Sequence, residues 1–303
     1  MARSYRYLHY DVFTDHLFGG NQLAVFLEGR GLAAETMQAI AKEMNFSETT
    51  FLLPAETPGT DIRMRIFTPA EELPTAGHPT IGTTFALARA GVIEPGRKQY
   101  VFGCGIGPVP VALSWKGEDL GFAWMTQSLP TFGDAMAEPG RTAAALSLSA
   151  AAIADHPVQV VSCGVPFLFV PLTKRSAVDG VKVNNTGLDE LLRATNPVAH
   201  GVFVFSTEPG DAPATVYSRM FAPELGVVED PATGIASGPL GCYLVRHKLV
   251  PADKADSMIS LQGAKMGRPS HVHISIGVEQ GEITSVRVGG EAVLAGEATL
   301  YIP

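Results

Sequence analysis

The sequence predicts an α+β protein of two pseudo-symmetric domains, each a curled mixed β-sheet around a central helix, and three observations predict it. The stretch Arg65-Ile-Phe-Thr-Pro69 returns as Arg219-Met-Phe-Ala-Pro223, an offset of 154 in a chain of 303 residues. The same offset matches Phe51 with Phe205 and Ile62 with Val216, and sets Pro58-Gly59 near Pro209-Gly210, the pattern of a duplication. Each copy then enters a Gly-rich turn and an apolar helix-like segment, Ala76-Gly-His-Pro-Thr-Ile-Gly-Thr83 in the first and Ala232-Thr-Gly-Ile-Ala-Ser-Gly-Pro239 in the second. Between these landmarks strand-like alternation dominates, broken by only a few helix candidates.

In chain order, Tyr5 to Phe13 and Leu23 to Leu27 read as strands around a turn at Gly19-Gly-Asn21. Met37, Ile40, Ala41 and Met44 recur at helical spacing and predict a helix over 33–44. Thr49 to Leu53 and Ile62 to Phe67 are strands, and Gly77 to Ala90 is a helix apolar on most sides, which makes it a buried one. Strands follow at Lys98 to Val101, Val109 to Trp115 and Phe122 to Met125, and Pro130 to Pro139 reads as the linker. The second half offers helices over 142–153, 188–194 and 237–247, then a strand-rich tail whose last strand, Ala298 to Ile302, returns to the first half. The expected domains are residues 1–125 plus 290–303, and 126–289.

Composition excludes several classes. The net charge of −8 comes with no run of Lys or Arg, so nucleic acid is not an expected partner. No window approaches the ~18 apolar residues of a membrane span and the N-terminus lacks the apolar core of a signal peptide, so the expectation is a soluble, cytoplasmic protein. Cys104, Cys163 and Cys242 are odd in number, lie far apart in the chain and show no CxxC spacing, which predicts neither a disulfide framework nor zinc. They read as small buried apolar residues. Gly103-Cys-Gly-Ile-Gly107 leads into a strand rather than a helix, so it is no dinucleotide loop. His271 and His273 share a strand face but lack further ligands, and no Gly-x-Ser-x-Gly elbow occurs.

Candidate chemistry gathers at three points. Ser47-Glu48 sits at a helix-to-strand junction, His78 follows Gly77 at a helix start, and Asp230 precedes the matching start in the second half. Singly, Ser47-Glu48 would be a solvated turn, His78 a satisfied buried histidine and Asp230 a helix cap. Together around two repeated helix starts they form a candidate acid–base site.

These residues lie in segments that resemble the PhzF-like phenazine-biosynthesis family, within the diaminopimelate-epimerase-like fold superfamily. The segments are Asp11-Val-Phe13 with Gly20-Asn-Gln-Leu-Ala-Val-Phe26, Glu43-Met-Asn-Phe-Ser-Glu-Thr-Thr-Phe51, Arg65 to Pro69, Glu72-Leu-Pro-Thr-Ala-Gly-His-Pro79, Arg219 to Pro223 with Gly226-Val-Val-Glu-Asp230, Leu261-Gln-Gly263 and Gly267-Arg-Pro-Ser270. The resemblance runs nearly end to end. It implies an isomerase without cofactor or metal, usually a homodimer, with the active site between the two domains. It implies Glu48 as the proton shuttle, His78 and Asp230 as its catalytic companions, and Asn21, Ser47, Gly77, Gly234 and Ile235 as substrate contacts. The two cysteines of the superfamily's amino-acid epimerases have no counterpart, since Gly77 and Asp230 stand in their places. Phenazine-pathway members usually carry serine where this chain has Ile235.

The physics of such a site follows from its residue types. A small anionic substrate would accept N–H bonds at the Gly77-His78 and Gly234-Ile235 helix starts and gain from the helix dipoles. Glu48, with its pKa pushed up by burial and by Asp230, would carry a proton from one carbon of an unsaturated or cyclic carboxylic acid, amino acids included, to another. Two other functions are open: racemisation or epimerisation of an amino acid by carboxylates instead of thiols, and non-catalytic binding of a small ligand.

Overall fold

The computed structural model describes residues 3–208 and 214–302, so Pro209-Gly210 lies outside the described residues. The chain divides into two compact units, Met1–Thr126 with Gly289–Pro303, and Gln127–Val288. Unit 1 comprises β1 (Arg3–Val12), β2 (Asn21–Phe26), α1 (Ala34–Met44), β3 (Glu48–Leu53), β4 (Ile62–Phe67), β5 (Glu72–Leu73), α2 (Gly77–Arg89), β6 (Gln99–Cys104), β7 (Gly107–Lys116) and β8 (Asp119–Gln127). Unit 2 comprises β9 (Thr131–Ala135), α3 (Pro139–Ala145), β10 (Gln159–Ser162), β11 (Pro166–Pro171), α4 (Arg175–Gly180), α5 (Asn185–Arg193), β12 (Val202–Ser206), β13 (Val216–Ala222), β14 (Val227–Asp230), α6 (Gly234–Arg246), β15 (Met258–Gln262), β16 (Ser270–Glu279) and β17 (Glu282–Gly290). The final strand, β18 (Ala292–Ile302), belongs to unit 1.

The two units repeat one topology. In unit 1, β1 runs antiparallel to β2, β2 parallel to β3, β3 antiparallel to β4, β4 antiparallel to β5 and parallel to β6, and β6 antiparallel to β7. Unit 2 follows the same scheme with β10, β11, β12, β13, β14, β15 and β16 in those places. Strand register makes the equivalence residue by residue. Leu23 faces Glu48 as Leu168 faces Val202, Ile66 faces Leu73 as Met220 faces Asp230, and Ile62 faces Phe102 as Val216 faces Ser260. The offset of 154 along β3 and β4 therefore grows to 157 at α2 and α6, because unit 2 inserts a short 3-10 turn, Pro223–Leu225, closed by left-handed Gly226. The sequence comparison of Ala76 with Ala232 slips by one residue: register pairs Ala76 with Thr233 and His78 with Ile235.

Each sheet wraps a buried helix and carries others on its outer face. In α2 every residue from Gly77 to Leu87 is buried, and in α6 all but Ile235 from Gly234 to Leu244 are. Small residues let the strands approach: a Cβ on Gly241 would stand 2.4 Å from Ile274 Cγ2. The inner face of unit 2 packs Phe169, Phe203 and Phe205 on Leu240 and Tyr243, and the outer face packs Val202 and Val204 on Leu188, Leu191 and Leu192. Strands buried on both faces need continuous apolar runs, which Val202-Phe-Val-Phe205 supplies. In unit 1, Met37, Ile40 and Ala41 of α1 cover Phe26, Phe51 and Phe67. Fully burying a side chain such as Phe51 contributes about 2 kcal/mol.

Several expectations need correction. The segment read as a linker, Pro130 to Pro139, contains β9, which pairs with β10. The helix expected over 142–153 stops at Ala145, and Ser147 turns left-handed with φ 56°. Leu146 and Leu148 both reach the core beneath α5, and residues two apart cannot share a helix face, so packing overrides alanine propensity. α4 was not anticipated because only Val178 in it is buried, which leaves no periodicity to read. The last strand is longer than expected, pairing with β1 from Arg3↔Ile302 to Val12↔Ala292 with a bulge at His9/Tyr10. Among the described residues no helix is long and apolar enough to cross a membrane.

Candidate active site

Unit 1 gathers Glu48, His78 and Asn21. Helix α1 ends because Asn45 adopts a left-handed conformation at φ 52°, which Asn tolerates better than most residues, while its N–H bonds the Ala41 carbonyl. The chain thereby turns and delivers Glu48 as the first residue of β3, in parallel register with Leu23 two residues after Asn21. His78 sits in the first turn of α2, and a buried hydroxyl pair, Thr50 with Thr83 at 3.0 Å, ties α2 to β3. His78 Nδ1 consequently lies 3.2 Å from Glu48 Oε2 and 3.2 Å from Asn21 Nδ2. Asn21, expected to touch substrate, is thus committed at least in part to orienting the imidazole. Ser47 is half-buried beside this group and Gly77 is buried.

The imidazole is neutral at physiological pH. Burial pushes its pKa down to about 3, against a smaller upward pull from the Gln22 backbone. The 3.2 Å approach to Glu48 is therefore not an ion pair. The Asn21 amide nitrogen can only donate, so Nδ1 is the acceptor of that bond and the ring proton of the neutral imidazole sits on Nε2. The Glu48 side chain beside it is 14% exposed.

A lowered His pKa carries a signed consequence. The unfolded chain binds a proton at about 6.5 that the folded chain refuses until about 3, so stability falls as pH drops through that window. At ~1.4 kcal/mol per unit, wild type should lose about 3 kcal/mol more than His78→Gln between neutrality and pH 4. Urea titrations of both at several pH values test this, and parallel curves would contradict a buried neutral imidazole.

Unit 2 presents Asp230 at the end of β14, 4% exposed, immediately before α6. The Thr233 hydroxyl donates to Asp230 Oδ2 at 2.6 Å and does not cap the helix. Gly234 is buried, and Ile235 is half-buried against the core around α6. The first turns of α2 and α6 both lack side-chain caps. Sequence reasoning missed the roles of Thr233 and of Gln262, which bonds the same turn, although Gln262 lies inside a matched segment.

The repeat offers an internal comparison. Register equates Glu48 with Val202, Asn21 with Pro166, His78 with Ile235, and Asp230 with Leu73. Each candidate polar residue occupies a place that the other copy fills with an apolar one, so the common fold does not require it. The cysteines stand apart from both groups: Cys104 is half-buried at the end of β6, whereas Cys163 and Cys242, distant in sequence, are buried with sulfurs 3.9 Å apart. Among the described residues no three His, Cys, Asp or Glu side chains converge as a metal site.

Two repeats of a mixed sheet wound on a buried helix define a fold shared with racemases and epimerases: a hydroxyproline epimerase of Agrobacterium vitis is similar over 99% of this chain and 91% of its own, with a TM-score of 0.63 at 13% identity. The chain belongs to the phenazine biosynthesis-like PhzC-PhzF family, whose model matches residues 10–298. It is 37% identical to an uncharacterized isomerase of Mesorhizobium japonicum over 98% of both chains. It is 34% identical to the trans-2,3-dihydro-3-hydroxyanthranilate isomerase of Pseudomonas aeruginosa over 98% of this chain and all of that one. The structure of a Bacillus anthracis PhzF-family protein matches with a TM-score of 0.86 at 28% identity, covering 98% of this chain and 99% of that one.

Proposed function

We propose that this chain is a cofactor-independent isomerase that moves a proton between carbons of a small unsaturated or cyclic carboxylic acid, amino acids included, with Glu48 as the proton carrier. The carrying observation is the Glu48 carboxyl held 3.2 Å from a buried neutral imidazole, in a chain whose named relatives are isomerases. The Glu48 carboxylate takes a proton from one carbon, the electron pair left behind shifts the double bond, and the resulting carboxylic acid returns the proton to the far carbon. Every proton and electron pair is accounted for without a second reagent. His78 and Asp230 hold the substrate's amino or hydroxyl group, Asn21 orients His78, and a substrate carboxylate takes N–H bonds at an uncapped helix start. Favourable helix dipoles matter in a chain of net charge −8, which otherwise repels anions. Ile235 offers an apolar branch there, which suits a substrate with a hydrocarbon edge.

Proton NMR in D₂O tests the reading, with trans-2,3-dihydro-3-hydroxyanthranilate and a panel of unsaturated cyclic acids and α-amino acids as probes. Deuterium at a new carbon with a shifted double bond is the expected result. Exchange confined to the α-carbon of a saturated amino acid would instead identify a racemase, and no exchange with any probe would favour a binding protein.

A further inference from the structure

We infer that Thr233 and Gln262 are positioning residues that fix the Asp230 carboxylate, an inference resting on the reading of Asp230 as a site residue. Gln262, the last residue of β15, is completely buried, and its amide is spent on one turn. Its Nε2 donates to the Asp230 carbonyl at 2.7 Å and to Thr233 Oγ1 at 2.9 Å, and its Oε1 accepts the Thr233 N–H at 3.1 Å. Thr233 Oγ1, held by that amide, gives its only proton to Asp230 Oδ2 at 2.6 Å. The chain of donors runs in one direction, from amide to hydroxyl to carboxylate, so the hydroxyl cannot rotate away without losing a bond at each end.

A purely structural role for this network would be the simpler explanation, and the duplication argues against it. Register carries Asp230, Thr233 and Gln262 onto Leu73, Ala76 and Cys104 of unit 1. The strand pairing and one backbone contact recur in both copies, although the connection after β15 is longer than the one after β6. A Cβ on Gly105 would stand 2.9 Å from Pro74 Cα, and one on Gly263 would stand 3.0 Å from Pro231 Cα, so each hairpin turn packs on the equivalent proline. Unit 1 thus makes its own proline contact and its own buried helix start with no side-chain hydrogen bond at the three positions equivalent to Asp230, Thr233 and Gln262. What unit 2 alone contains is the carboxylate, and the two extra polar residues converge on it.

The repeat also names the substitutions to make: Thr233→Ala and Gln262→Cys copy the side chains unit 1 carries at those places. Selective 13C labelling of aspartate, with Asp230→Asn to assign the signal, reads the carboxyl carbon of Asp230 without any substrate. The expected result is a displaced Asp230 resonance in Thr233→Ala and Gln262→Cys, a wild-type resonance in Thr233→Ser, and unfolding temperatures within a few degrees of wild type throughout. For whichever probe acid wild type turns over, exchange should fall roughly tenfold to a hundredfold in Thr233→Ala, the range for losing a hydrogen bond to a charged group, and recover in Thr233→Ser. In the Asp230→Asn background Thr233→Ala should add almost nothing. An unmoved Asp230 resonance in Thr233→Ala, or a loss that adds fully to Asp230→Asn, would overturn the inference. Undiminished turnover in Asp230→Asn would instead overturn the underlying reading of Asp230, and the resonance would still decide the positioning.

Discussion

Glu48→Gln lowers turnover of any acid the enzyme accepts by about a thousandfold, within the span by which a positioned acid–base group accelerates proton transfer. The substitution keeps the size and shape of the side chain and keeps a hydrogen-bonding group toward His78 Nδ1, 3.2 Å from the present carboxylate oxygen. What would disappear, on the proposed mechanism, is the ability to accept a proton from carbon and give it back. Stability should hardly move, because Glu48 opens β3 and the equivalent place in β12 is Val202, so no strand pairing depends on the carboxyl. Glu48→Asp is a sharper control: the same chemistry, withdrawn by one methylene from both His78 and substrate, should also lose most of its rate. The measurement is deuterium incorporation alongside thermal unfolding of each variant. Full activity in Glu48→Gln would remove the central claim, and lost activity with a collapsed unfolding temperature would show a structural residue instead.

How much of this was legible in the sequence depends on what carried the signal. The repeated Arg-x-Phe-x-Pro stretch and the two glycine-rich helix starts exposed the duplication, because strand β4 and helix α2 recur in β13 and α6 with enough residues unchanged to match at a nearly fixed offset. Glu48, His78 and Asp230 stood out in company, each ordinary alone but all three lying in the segments that carry the family resemblance. The sequence could not bring Asn21 onto His78, since their contact spans β2 and α2 and depends on the parallel β2–β3 register. Gln262 was equally invisible as a partner of Thr233, for a buried glutamine in a strand has no periodic signature. The one-residue slip between Ala76 and Ala232 had a local cause in the extra turn at Pro223–Leu225, which identity matching cannot see and strand register can.

The duplicated arginines that first betrayed the repeat are expected to differ sharply in cost. Arg219→Met should destabilise unit 2 by about 3–5 kcal/mol, the range for breaking a buried pair by removing one partner. Both Nε and Nη2 of Arg219 bond Glu229 at 2.8 Å, and its side chain is 9% exposed. Nη1 takes the carbonyls of Val178 and Val181 at 3.0 Å and of Asp179 at 3.3 Å, capping the end of α4, and the guanidinium lies over the Phe221 ring. Methionine would leave Glu229 and those carbonyls without it, next to Asp230. Arg65 repeats the bidentate pair with Glu72 and the stacking on Phe67, but Glu72 is 41% exposed and the remaining Nη1 reaches only Met37 Sδ at 3.5 Å. Water can solvate what Arg65→Met leaves behind, so its cost should be about 1 kcal/mol. Because two units need not unfold as one, native-state hydrogen exchange is the suitable measurement. Arg219→Met should deprotect β12, β13 and α4 while unit 1 stays protected. Equal losses in the two variants would mean that the sequence repeat, and not the burial of each copy, sets the energy of the pair.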